Sequence, residues 1–275
     1  METGVNKLLE GTGEAIKTVP ELYDDGLKPA VQESGKTLSL LPKTINAALV
    51  PLRKWIAERE YSLAETEKLL EIKLRNIDYN KIVTPEAYVA VPALQAISYS
   101  MDSEELRNMY ANLLAKAMNV DEKDKVHPAF VELIKQMAPR EALILDGIFK
   151  SPITPLIDLS VRTDKGNDNY IYNISWITCF SYDDIAVALD NLERMGLIEI
   201  PFGERYVDDQ AYNPIRNTSV YKEQRKKLEN MNIGKIEETK KHIKKTALAN
   251  SFYEVCLKEK WCSRKLLFDG GMVNV

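Results

Sequence analysis

Histidine is almost missing from this chain: His127 and His242 are the only two in 275 residues. A serine-hydrolase triad needs a histidine beside a nucleophile and an acid, and neither histidine stands in such a setting. Cysteine is as scarce. Cys179, Cys256 and Cys262 form an odd set without a CxxC pair, which excludes a disulfide framework and the usual zinc-ligand spacing. Core thiols in a reducing compartment are the expectation. There is no GxxxxGK[ST] and no GxGxxG, and "EGTGEA", residues 10–15, lacks both the lysine and the preceding strand of a phosphate loop. The sequence therefore offers no catalytic constellation, no cofactor motif and no metal site, and the expectation is a protein that is not an enzyme.

Long apolar runs are also lacking. The most apolar stretch, "LSLLPKTINAALVPL" from Leu38 to Leu52, is interrupted by Pro42, Lys43 and Pro51 and falls short of the about 20 residues that cross a bilayer. Lying on a membrane, or packing on a partner, stays open for it. The opening "METGVNKLLEGTGEAIK" has no apolar run before a small-residue cleavage site, so no signal peptide is read and the expected location is the cytoplasm. A net charge of -4 and a pI near 5.5 argue against coating nucleic acid over the whole surface. One region runs the other way. Between Lys222 and Lys245 the cations Arg225, Lys226, Lys227, Lys240, Lys241, Lys244 and Lys245 exceed the acids around them. Lys240, Lys241, Lys244 and Lys245 are accordingly candidate nucleic-acid contacts, releasing counterions from phosphate, although charge runs are commonly just solvated surface.

What is present is helical patterning. Charged residues at 28% and hydrophobic residues at 45% are values of a globular chain. Residues 1–50 are punctuated by Gly4, Gly11, Gly13, Gly26 and Gly35 and by Pro20, Pro29 and Pro42, which predicts short interrupted helices or a mobile arm. Such an arm would touch a membrane or an oligomer partner, or simply drape over the main domain. From Pro51 to about Ile77 one long helix is expected, without a clean heptad. Thr84 and Pro85 read as the N-cap and first position of the next helix, which Pro92 must bend or divide.

"DSEELRNMYANLLAKAMN" is the clearest element. Asp102 stands three residues before Glu105 in capping-box spacing, and Leu106, Met109, Tyr110, Leu113, Leu114, Ala117 and Met118 make a wide apolar stripe. Asn112 within it calls for a buried interhelical hydrogen bond, and Asn119 for a C-cap. The polar linker "VDEKDK" leads to His127 and Pro128, where proline fixes the first turn of a short helix and the imidazole can bond exposed backbone amides. Pro139 starts another amphipathic helix, "PREALILDGIFKS".

After Ser151 the character changes. "SPITPLIDLSVRTDKGNDNYIYNISWITC" reads as a loop with a short strand at most. "SYDDIAVALDNLERMGLIEIP" is a helix capped by Ser181, stopped by Gly196 and followed by a strand. That ending looks like the third helix and first wing strand of a winged-helix domain, with "KHIKKTALANSFYEVCL" as the returning strand and closing helix. Residues 201–238 between them are too long for a hairpin turn and insert a loop or a charged helix, "VYKEQRKKLENM". The third helix of such a domain, "SYDDIAVALDNLERM", is acidic where a recognition helix offers arginine or lysine. The fold expected is mainly α: an arm over 1–50, a helical domain over 51–138, a winged-helix-like α+β domain over 139–260 with an inserted charged segment, and a tail over 261–275.

"ELRNMYANLLAKAMN" and "KVHPAFVELIKQMAP" together resemble the Abi-alpha (abortive infection) family of bacterial proteins. "EALILDGI", "ALDNLERMGLIEI" and "TALANSFYEVCL" follow in the same order, and the glycine-punctuated N-terminus is also similar. The resemblance spans roughly residues 10–258 and is strongest over 102–146. Where members of the family have a turn glycine near the end, this chain has Ala249 or Asn250. The resemblance implies phage defence by abortive infection in a cytoplasmic protein, and it carries over no catalytic residues. Asn112, His127, Pro128 and Gly196 belong to the matching motifs, with a structural or unknown role. Two functions are therefore weighed. One is a non-enzymatic sensor or effector that contacts a phage or host protein, with homo-oligomer formation and membrane contact by the arm as options. The alternative is a winged-helix DNA-binding regulator.

Overall fold

The computed structural model describes residues 43–50, 60–100, 102–164 and 166–258. Residues 1–42 of the arm expected over 1–50, the expected helix start at Pro51, Cys262 and the tail over 261–275 lie outside the described residues. The chain divides into two compact units, Met1–Gln136 and Met137–Val275, and is mainly helical with a small sheet.

In the first unit, helix α1 covers residues 43–50 and buries Ile45, Ala48 and Leu49. Helix α2, Glu60–Leu74, buries Leu70 and Leu74 one turn apart. Helix α3, Ala87–Tyr99, runs unbroken through Pro92 and buries Val89, Ala90, Ala93, Leu94 and Ile97. Helix α4, Glu104–Ala117, has Met109 to Ala115 all buried, because α2, α3 and the short α5, Ala129–Lys135, pack on it from different sides. Enclosure on several sides is why its apolar stripe is so wide.

The caps differ from those expected. Ser103, not Asp102, caps α4: its Oγ accepts from Leu106 N at 3.3 Å and donates to Glu105 Oε2 at 3.2 Å. A hydroxyl both donates and accepts, so it satisfies an amide and a carboxylate together, which a carboxylate at 102 cannot do. Helix α3 starts at Ala87 after Glu86, and Thr84 Oγ1 is buried without a hydrogen-bond partner among the described residues. Glu86 is still extended, at ψ 131°, so helical turns begin only at Ala87. The C-cap of α4 is Met118. Asn119 instead accepts from Asp121 N at 3.1 Å and forms an antiparallel bridge with Ile82.

In the second unit, helix α6, Pro139–Lys150, has proline at its start, and Glu141 accepts from Ala138 N at 2.8 Å. The loop expected next is a β-hairpin: β1, Pro155–Thr163, and β2, Gly166–Ile174. Strand β1 is central in a three-stranded antiparallel sheet of order β2-β1-β4, with β4 spanning Lys235–His242. Helix α7, Tyr182–Arg194, is capped by Ser181, whose Oγ accepts from Asp184 N at 3.2 Å. Gly196 ends it at φ +70°, with Leu197 N bonded to Leu192 O and Gly196 N to Glu193 O. Both bonds belong to a left-handed helix stop that glycine adopts without strain.

The strand leaving Gly196 is β3, Ile198–Glu199, which pairs antiparallel with β5, Lys244–Lys245. Between them lie the loop from Pro201, a 3-10 turn at Asp209–Tyr212, and helices α8, Asn213–Arg216, and α9, Ser219–Met231. The charged helix of the inserted segment is thus present. Helix α10, Ala247–Phe252, continues into a π turn, Tyr253–Leu257. Thr246 caps it by accepting from Ala249 N at 3.0 Å, so Ala249 and Asn250 sit in a helix at the position of the family's turn glycine. Cys256 is a core thiol, raised well above its usual pKa by burial, whereas Cys179 is exposed.

Candidate functional site

The period-two geometry of β4 sorts the basic run onto two faces. Glu238, Lys240 and His242 share one, and Lys241 lies on the other. Lys240 Nζ lies 2.5 Å from Asp209 Oδ1. Lys241 Nζ reaches Asp158 Oδ2 at 2.8 Å and donates to Asn173 Oδ1 at 2.6 Å. Lys244 Nζ pairs with Glu204 Oε2 at 2.5 Å. Lys245 Nζ donates to Phe149 O at 3.3 Å and stands 5.1 Å from the centre of the Phe149 ring, and burial pulls its pKa below the usual lysine value. Every lysine proposed for phosphate contact already has a partner inside its own unit.

Around Glu238 a denser network gathers. Arg216 NH2 donates to Glu238 Oε2 at 2.7 Å, and the same guanidinium reaches Asp209 at 2.9 and 3.1 Å. Tyr221 Oη donates to Glu238 Oε1 and accepts from Arg225 NH1 at 3.1 Å. Burial alone would raise the Glu238 carboxyl. The bonds from Arg216 and Tyr221 outweigh it and hold that carboxyl below the usual range. Asp209 is held well below its ordinary value, first by Arg216 and then by Lys240. Glu204 is lowered by Lys244 in the same way.

His242 is half-buried. Its ring lies 5.2 Å from that of Tyr206, and its Nδ1 is buried without a hydrogen-bond partner among the described residues. Tyr206 is itself anchored: its Oη accepts from Thr154 N at 3.0 Å, and its backbone N–H donates to Tyr212 Oη at 2.9 Å.

The other sequence candidates lie apart from this network. Asn112 is enclosed on α4, 1% exposed. His127 Nδ1 accepts from Ala129 N at 3.1 Å, and its ring tilts against Phe130 at 5.9 Å, so it caps the helix that Pro128 introduces. Gly196 serves the turn between α7 and β3. Arg216, Asp209, Glu238 and Tyr221 were not singled out from the sequence. Their one legible trace is the alternation that sets Glu238 and Lys240 on the same face of a strand.

Among the described residues no group of three or more histidine, cysteine, aspartate or glutamate side chains could hold a metal ion. No described helix is long and apolar enough to cross a membrane.

A protein-family model, described as abortive infection alpha, matches residues 58–256. The chain belongs to the abortive infection alpha family. The matched span takes in α4, the His127–Pro128 corner, α7 with its Gly196 stop, and the whole Glu238 network, while residues 10–57 fall outside it. No curated protein and no solved structure matches the chain.

Proposed function

We propose that this abortive infection alpha protein is an antiphage defence protein that works in the cytoplasm without catalysis, as a sensor or effector through contacts with a phage or host protein. The family match over residues 58–256 carries the reading. Helix α7, its glycine stop and the β3–β5 ladder support a winged-helix-like domain in the second unit. The solvent face of α7 carries Asp183, Val187 and Asp190. Carboxylates there repel a phosphate backbone, so this face suits a protein surface better than a DNA groove. Assembly as a homo-oligomer, with the arm over 1–50 contributing to effector action at a partner or a membrane, completes the proposal.

The test is phage plating on cells that express the full chain or a chain lacking residues 1–42, which keeps the buried face of α1, with culture survival followed at high and low phage dose. Abortive infection predicts fewer plaques, rescue of the culture at low dose and collapse at high dose. Equal plating and survival with and without the protein would sink the defence reading.

A further inference from the structure

The loop after β3 is held down by charge rather than by apolar burial. From Phe202 to Gln210 only Tyr206 is less than exposed, and Phe202 and Val207 stand entirely in water. Beside the tyrosine anchors, carboxylates on cations tie this loop to the rest of the unit: Glu204 on Lys244, and Asp209 on both Lys240 and Arg216, whose NH1 also donates to Asp209 O at 3.4 Å. The Asp209 carboxylate is gripped as a phosphate would be. One oxygen takes Lys240 at 2.5 Å and Arg216 NH2 at 3.1 Å, and the other takes Arg216 NH1 at 2.9 Å. A guanidinium fork plus an ammonium is the donor set that recognises phosphate oxygens.

We propose that Lys240, Lys244 and Arg216 form a basic ledge for the phosphodiester backbone of duplex DNA, covered in this structure by Glu204 and Asp209 acting as internal phosphate mimics. The ledge is distinct from the acidic face of α7, and the inference stands whether or not the chain acts in phage defence. The two carboxylates are the exposed members of these pairs, Asp209 at 59% and Glu204 at 50%, and pairs open to solvent on that side are weak enough for a polyanion to displace, because the polymer also gains from counterion release. The cover does not have to unfold. Tyr206 and Tyr212 remain as anchors while two side chains swing outward, and Arg216 keeps its bond to Glu238.

The experiment measures binding of a fluorescent 20-base-pair duplex by the full chain, using anisotropy between 50 and 200 mM salt. Removing the mimics with Glu204→Gln plus Asp209→Asn should tighten binding about tenfold at low salt and steepen the logarithmic salt slope by about 1.8, as expected for two newly freed cations. A charge-matched control, Asp183→Asn plus Asp190→Asn on α7, should gain less than about threefold, since it alters only the general field. Adding Lys240→Gln and Lys244→Gln should abolish the gain. Should the double variant fail to fold, Glu204→Gln alone serves, with about a threefold gain that Lys244→Gln removes. No gain, an equal gain in the α7 control, or a gain that survives loss of the lysines each overturns the ledge. Competition by polyglutamate as effective as by DNA overturns the phosphodiester assignment in favour of an acidic protein.

Discussion

Arg216 on α8 and Glu238 on β4 meet at 2.7 Å, and through that pair a short helix of the inserted segment is locked to an edge strand of the three-stranded sheet. Both side chains are largely covered, at 23% and 18% exposed, so the pair is screened less than the surface pairs around it. Replacing Glu238 by glutamine leaves a guanidinium and the Tyr221 hydroxyl facing a neutral amide. The expected loss is about 1–3 kcal/mol of unfolding free energy, read as a lower urea midpoint with unchanged slope. Glu204→Gln, in the loop after β3, should lower the midpoint far less, because its pair with Lys244 is about half exposed.

Acid should loosen the second unit through the same groups. Asp209, Glu204 and Glu238 have folded pKa values below their ordinary ones, so folding favours their charged forms. Their contribution is fully present above the unfolded carboxylate values near pH 4 and is lost as pH falls through the folded values. Melting temperature should therefore decline below about pH 4, and the decline should be shallower in Glu238→Gln. A profile identical in the variant would remove Glu238 from the acid response.

Gly234 opens β4 beneath β1 in a space that admits no side chain. A Cβ there would lie 2.2 Å from the carbonyl oxygen of Arg162 and 2.9 Å from Val161 Cγ1. Because the first obstacle is backbone, relief requires the strand to move. Gly234→Ala should cost about 1–3 kcal/mol in a denaturant titration, and hydrogen exchange should quicken first at the Arg162–Lys235 end of the ladder. Unchanged stability would show that β4 can shift at no cost.

His127 offers a functional discrimination. If its task is to accept from Ala129 N, an asparagine carbonyl can do the same, and His127→Asn should protect cells against phage as the unaltered chain does. Protection lost with an unchanged melting temperature would give the imidazole a chemical task instead.

Much of the helical framework was legible because it is written in local chemistry. The stripe of α4, the Ser181 cap and the Gly196 stop all rest on residues within a few positions of one another. The caps that were misread turned on single atoms: Ser103 displaced Asp102 because a hydroxyl serves two partners. The hairpin escaped for a different reason. Strand β1 does alternate, as Ile157-Asp158-Leu159-Ser160-Val161-Arg162, but it opens on Pro155, three residues after Pro152, and its pairing with β2 is interrupted by two register shifts. The pairing of the basic run was hidden by distance along the chain. Asp209, Glu204 and Asp158 come from a loop and a strand outside "KKHIKK", and only the fold carries them to its lysines.

The central place of β1 also sets a timetable. Its first neighbour, β2, follows at once, but its second edge must wait for β4, whose nearest paired residue, Lys235, lies 73 positions after Arg162. At a synthesis rate of ~5–20 residues per second, that edge stays open for roughly 4–15 seconds on each nascent chain. During that interval a strand that is buried from Pro155 to Val161 in the finished protein presents unpaired amides and carbonyls to whatever is nearby. Yield of this protein should accordingly depend on translation speed and chaperone supply over the stretch between β2 and β4.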